Sequence, residues 1–190
     1  MSINKLEDFI VVVKKVIPIE LCDSILDEYK NSNDWKDAGS TNNNIMVIDK
    51  KTRNCQSIIT SLPENLISNT IRSKLDDEIF NITAKCLKLY IEKFPTCKVS
   101  QDTGYDLLKY EKGGFYIQHT DSFFQRPREI ACSLLLNDDF EGGEFAFFNR
   151  ELKYKLNKGD VLMFPSNFMY PHEIMEVTEG TRYAIITWFR

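Results

Sequence analysis

Histidine is almost absent: the 190 residues contain two, at positions 119 and 172. Paired cysteines are absent too. The five cysteines (Cys22, Cys55, Cys86, Cys97, Cys132) are odd in number, widely spaced and form no Cys-x-x-Cys, which excludes a disulfide framework and a zinc ribbon. They suit a reducing compartment, and the expected location is cytoplasmic. No apolar run reaches membrane-spanning length. Phe9–Val13 is short, preceded by Glu7 and Asp8 and followed by Lys14 and Lys15, so it reads as a strand and neither as a signal peptide nor as a membrane span. Positive charge is not in excess: the net charge of −4 argues against a broad nucleic-acid-binding surface. There is no internal repeat, low-complexity tract or linker, and one domain over 1–190 is expected.

What is present divides into two halves. Over 1–100 the sequence reads as helical support with N-terminal strands. A strand is expected over Phe9–Val16, and Pro18 stands where helices begin, ahead of an apolar stripe of Leu21, Cys22, Ile25, Leu26 and Tyr29. The polar segment Asn31–Asn44 reads as a loop whose one large apolar residue, Trp35, suggests a lid anchored at that point. A long helix is expected from about Glu64 to Phe94, since Leu66, Ile67, Ile71, Leu75, Ile79, Ile82, Cys86, Leu89 and Tyr90 recur at helical spacing, and Pro95 stops it.

From 101 to 190 short aromatic and β-branched runs alternate with turn signals such as Lys112-Gly113-Gly114, Asn137-Asp138-Asp139 and Asn157-Lys158-Gly159-Asp160. Roughly eight strands follow. The expected fold is mostly β with N-terminal helices, a double-stranded β-helix (jelly roll) core buttressed by helices.

The chemistry concentrates on few residues. In Gln118-His119-Thr120-Asp121, side chains at i and i+2 of a strand share one side, so His119 and Asp121 can reach one metal. His172 opens another strand candidate 53 residues later. Two histidines and a carboxylate on one face leave three positions open, an arrangement of non-haem iron(II) enzymes. A lone histidine in a β protein is more often a packing residue, but this pattern uses both histidines in the chain. Ten residues after His172, Arg182 enters the last strand. A buried guanidinium needs an anionic partner and forks onto a carboxylate.

From about Tyr105 onward the chain resembles the prolyl 4-hydroxylase-like 2-oxoglutarate and iron(II)-dependent oxygenases. The resemblance rests on Tyr110, Gly113, Tyr116, His119-x-Asp121, Asn137–Glu144, Lys158-Gly159-Asp160, Pro171-His172 and Gly180, Arg182 and Trp188, in order and spacing. It implies that His119, Asp121 and His172 bind iron, that Arg182 takes the distal carboxylate of 2-oxoglutarate, and that Tyr110 lines the cosubstrate pocket. Tyr116, Arg128 and Trp188 would lie near a peptide substrate. Their bland readings are core aromatics and a solvated strand end.

The chain departs from the family at the distal carboxylate: Leu135 and Phe145 stand where relatives often place a hydroxyl, and neither donates a hydrogen bond. Ser133, on the same side as Leu135 by strand alternation, is the expected substitute. Phe115, Phe123, Phe147, Phe164 and Trp188 would supply a dry wall or ordinary core. The implied activity is hydroxylation of a prolyl residue in a peptide or protein, with Fe(II) and 2-oxoglutarate as cofactors and ascorbate as a possible reductant. Alternatives are a hydroxylase of a free amino acid or other small molecule, and an inactive jelly-roll binding module. Membrane and nucleic-acid partners are not expected, and halogenation is disfavoured because Asp121 is present.

Overall fold

The computed structural model describes residues 5–42, 45–61, 70–125 and 127–190. A 3-10 turn at Leu6–Phe9 precedes β1 (Val11–Val13), so the strand expected over Phe9–Val16 is shorter at both ends. Lys15 ends it in a left-handed turn (φ 51°), with its N–H on the Asp160 carboxylate at 2.9 Å. Helix α1 (Ile19–Tyr29) follows Pro18 and buries the stripe of Cys22, Ile25 and Tyr29. Helix α2 (Ile71–Lys93) starts at Thr70, whose hydroxyl accepts the Ser73 N–H at 3.2 Å, and ends at Phe94 ahead of Pro95. The expected start near Glu64 lies outside the described residues.

Between the helices come β2 (Lys36–Asp37), β3 (Ser40–Asn42), β4 (Ile45–Val47), β5 (Arg53–Asn54) and β6 (Gln56–Ile59). The segment expected to be a loop over Asn31–Asn44 therefore carries strands; residues 43–44 lie outside the described residues. The reason is backbone pairing at a sheet edge: β2 lies on β6, and β3 on β4, so context and not residue pattern orders the chain there. The Trp35 indole N–H donates to the Tyr29 carbonyl at 3.0 Å and its ring packs on Tyr183, with the Lys109 ammonium 4.9 Å from the ring centroid.

The second half supplies β7 (Asp106–Glu111), β8 (Phe115–His119), β9 (Ile130–Leu135), β10 (Glu141–Gly142), β11 (Phe145–Phe147), β12 (Leu152–Tyr154), β13 (Val161–Pro165), β14 (His172–Ile174), β15 (Val177–Glu179) and β16 (Thr181–Phe189). The pairings are antiparallel, and β10 and β15 form a small ribbon that adds to the roughly eight strands expected. A seven-stranded sheet runs β1-β13-β9-β16-β7-β6-β2, and a five-stranded sheet runs β12-β11-β14-β8-β5.

Strand alternation sorts the large sheet into two faces. One set, including Leu107, Ile130, Cys132, Leu134, Met163 and Ile185, packs with residues of both helices. The other, including Leu108, Tyr110, Ala131, Leu135, Phe164 and Ala184, packs with Phe145, Phe147 and Ile174 of the small sheet. This is the expected jelly roll with helices on one outer face. Because Arg182 lies two residues before Ala184, it shares the inward face.

Candidate metal centre

The small sheet brings the two histidines together. His119 is the last residue of β8 and His172 the first of β14, and they are direct cross-strand partners with ring centroids 4.3 Å apart. Asp121 lies two residues beyond the end of β8, in a bend and not on a strand as expected, yet its side chain still converges. The Ser122 N–H bonds the Ser166 carbonyl at 3.0 Å, which ties this bend to the segment leading into His172. His119 Nε2 stands 3.5 Å from Asp121 Oδ1, and His172 Nε2 stands 3.6 Å from Asp121 Oδ2. One ligand atom from each residue lies within 4.8 Å of the others.

Both rings are oriented from behind. His119 Nδ1 bonds the Ile117 carbonyl at 2.9 Å and His172 Nδ1 bonds the Tyr170 carbonyl at 3.1 Å. Since a carbonyl only accepts, each Nδ1 carries a proton, which leaves Nε2, the nitrogen facing Asp121, as the one that can ligate a metal. Burial pushes the His172 imidazole down to about 4, as does the neighbouring His119, so it stays neutral over a wide range. Burial alone would raise the Asp121 carboxyl, but His172, His119 and the Trp188 indole hold it well below the usual carboxylate range. Two imidazole Nε2 atoms with an ionised carboxylate are the donor set for a divalent cation.

A wall of rings surrounds His172: Phe164 at 4.6 Å, Phe147 at 5.6 Å and Phe145 at 6.1 Å between centroids. Of the rings expected to supply a dry wall or ordinary core, Phe147 and Phe164 are buried against His172, while Phe115 and Phe123 are only half-buried. Beyond Phe145 lies Arg182. Its guanidinium carbon is 5.4 Å from the Phe145 ring and 5.5 Å from the Tyr110 ring, its cross-strand partner. Arg182 is 2% exposed, and among the described residues no carboxylate pairs with it. A buried cation without an anion is costly, so the site fits a ligand carboxylate.

Leu135 and Phe145 both line the small cleft beside Arg182, together with Gly143 and Lys155. Ser133 lies on the same inward face, opposite Ile186, and is buried, but it is not part of that cleft's lining. Tyr110 is buried beneath Arg182. Tyr116 stacks on His119 at 3.6 Å. Arg128 lies over Trp188, with its guanidinium carbon 3.4 Å from the ring centroid, and Nη1 donates to the Asp121 carbonyl at 3.3 Å.

Arg53 was not legible from sequence. It pairs with Tyr116 across β5 and β8, places its guanidinium carbon 4.7 Å from the Tyr116 ring centroid, and donates from Nε to the Cys55 thiol at 3.2 Å. The two-residue strand that carries it has no periodicity to read.

With fold and site in place, comparison with known proteins gives the family. The chain belongs to the 2-oxoglutarate and iron(II)-dependent oxygenases: residues 105–190 match the sequence model of the 2OG-Fe(II) oxygenase superfamily. The match spans His119, Asp121, His172 and Arg182, and membership implies Fe(II) and 2-oxoglutarate as the groups such a site takes. A PKHD-type hydroxylase of Idiomarina loihiensis is 34% identical over 86 residues, which are 42% of this chain and 38% of that protein. A PKHD-type hydroxylase of Prochlorococcus marinus is 30% identical over 170 residues, 82% of this chain and 66% of that one. The chain thus spans from over a third to about two thirds of these relatives' length. Among solved structures, a Pseudomonas putida prolyl-4-hydroxylase superposes with a TM-score of 0.73 at 18% identity, covering 96% of this chain and 92% of that one, a likeness of fold.

Proposed function

We propose that this protein is a non-haem iron(II) and 2-oxoglutarate-dependent dioxygenase that hydroxylates a prolyl residue in a peptide or protein, releasing succinate and CO2. One observation carries the reading: a buried arginine without a carboxylate partner stands across a single ring, Phe145, from a two-histidine, one-carboxylate cluster. A metal-only scaffold has no use for that second feature. The prolyl substrate rests on the resemblance and on the prolyl-4-hydroxylase named among the structural neighbours.

In this reading His119, Asp121 and His172 hold the iron, and Arg182 anchors the distal carboxylate of 2-oxoglutarate. Tyr110 forms the floor of that pocket, with Ser133 further along the same face. Bound iron and 2-oxoglutarate supply the activation of dioxygen for insertion of one oxygen atom into a C–H bond. The chain's own residues bind, orient and exclude water. The two backbone carbonyls fix the imidazoles, and Phe145, Phe147 and Phe164 keep the His172 side dry. Tyr116, Arg128 and Trp188 line the substrate side.

We read the chain as one domain over 1–190, with 101–190 as the catalytic core. Its cysteines are all free, which suits a reducing compartment such as the cytoplasm. Among the described residues no helix is long and apolar enough to cross a membrane. The test is anaerobic iron(II) titration with and without 2-oxoglutarate, followed by a screen of proline-containing peptides. Succinate release coupled to a mass gain of one oxygen atom supports the reading. Iron binding indifferent to 2-oxoglutarate, with no succinate formed, overturns it.

A further inference from the structure

We propose that Trp188 is a positioning residue for the metal: its indole N–H holds the Asp121 oxygen that the metal leaves free, and Arg128 clamps the indole in place. This rests on the metal reading above and adds to the placement of Trp188 beside the substrate.

The argument starts from register. Trp188 pairs with Ala131 across β16 and β9, and by alternation it shares the inward face with Arg182, Ala184 and Ile186. Its Nε1 is buried and makes no well-formed hydrogen bond, yet it lies close enough to Asp121 to help hold that carboxyl low. Buried donors are nearly always satisfied, so an indole N–H left over at the wall of a proposed metal site calls for a function. Its nearest charged neighbours identify the acceptor. Arg128 covers the ring face at 3.4 Å while its Nη1 bonds the Asp121 carbonyl at 3.3 Å, and the Arg128 backbone N–H bonds Ser122 Oγ at 3.0 Å. One side chain therefore ties the indole to the residue that carries the carboxylate.

Asp121 supplies the other half. At present each of its oxygens faces one histidine Nε2, at 3.5 and 3.6 Å. When a divalent cation draws one oxygen into the space between the imidazoles, the second must turn to another donor. The Trp188 indole N–H, which already bears on this carboxyl without a well-formed bond, is such a donor. A carboxylate held in this way presents one oxygen to the metal at a fixed angle, as partners of metal ligands commonly do.

The experiment is Trp188→Phe, which keeps a ring under Arg128 and deletes the N–H. Iron(II) affinity is measured anaerobically by competition with a chelator, beside the thermal midpoint of the metal-free protein. Iron(II) should bind about 10- to 100-fold more weakly, the usual loss when a ligand's partner is removed. The metal-free midpoint should fall little, because there the N–H makes no well-formed hydrogen bond to lose. Should the phenylalanine variant fail to fold, 3-benzothienylalanine at position 188 keeps the bicyclic shape without the N–H and serves for the same measurement. Unchanged affinity overturns the inference, and so does a parallel drop in the metal-free midpoint, which marks a packing role. Wild-type protein that takes up no iron(II) overturns the metal reading itself, an outcome distinct from equal and tight binding by both forms.

Discussion

His119 and His172 are direct partners in the β8–β14 ladder, although 53 residues separate them in sequence. A cation between them joins two neighbouring strands whose Nδ1 atoms are already fixed by backbone carbonyls. The histidines are thus arranged before any metal arrives.

Replacing His119, Asp121 or His172 with alanine should abolish turnover while leaving a folded protein. The stability cost should be larger for His172, which is 3% exposed and packed among Phe145, Phe147 and Phe164, than for the half-buried His119. Succinate release and circular dichroism check both halves. Wild-type-like turnover in His172→Ala would end the assignment of the ligands.

Arg182→Ala should raise the 2-oxoglutarate concentration for half-maximal activity by roughly 100-fold to several thousand-fold, the equivalent of about 3–5 kcal/mol for breaking a buried pair. Lysine should recover part of this, since it keeps the charge and loses the fork. Iron affinity should survive both changes. An unaltered 2-oxoglutarate requirement in the alanine variant would show that the cosubstrate is held elsewhere.

Gly143→Ala offers an indirect approach to the same pocket. Gly143 has a φ of 68°, and an added Cβ would stand 2.9 Å from Arg182 Cδ, 3.1 Å from Val177 Cγ2 and 3.2 Å from Phe140 Cε2. The backbone strain alone costs about 1 kcal/mol or more. The thermal midpoint should fall and the 2-oxoglutarate requirement should rise together. A lowered midpoint with an unaltered requirement would mean that Arg182 tolerates displacement.

The metal-free protein should lose stability as the pH falls from about 6.5 toward 4. His172 titrates near 4 when folded and at its ordinary value when unfolded, so in that window the unfolded chain takes up a proton that the folded chain refuses. The full effect is roughly 3 kcal/mol. Urea unfolding of wild type and His172→Leu across the window measures it, and the variant should show the shallower slope. Equal slopes would refute the assignment.

How far the sequence could be read varies along the chain. The resemblance put Arg182 and Tyr110 at one pocket, and the ladder makes them direct partners. The α2 periodicity was legible where Leu75, Ile79, Cys86 and Tyr90 face one core and Pro95 marks the end, whereas Ile71 and Leu89 of the same stripe are exposed and the Thr70 cap was not read. Arg53 and Trp35 were not legible as placed. Each sits on or beside a strand of two residues that exists because a neighbouring strand supplies hydrogen bonds, and such pairing leaves no period in the sequence. The bend that carries Asp121 was hidden for a similar reason, since it depends on a bond to Ser166 from a distant segment.

Arg182 belongs to β16, the fourth of seven strands in the large sheet, whereas both histidines belong to the small one. Any molecule that touches the arginine with one end and the metal with the other spans the two layers of the sandwich. Its occupancy is therefore a mechanical coupling. Such a molecule would place an ionic strut between the middle strand of the large sheet and the two strands of the small sheet that carry the histidines.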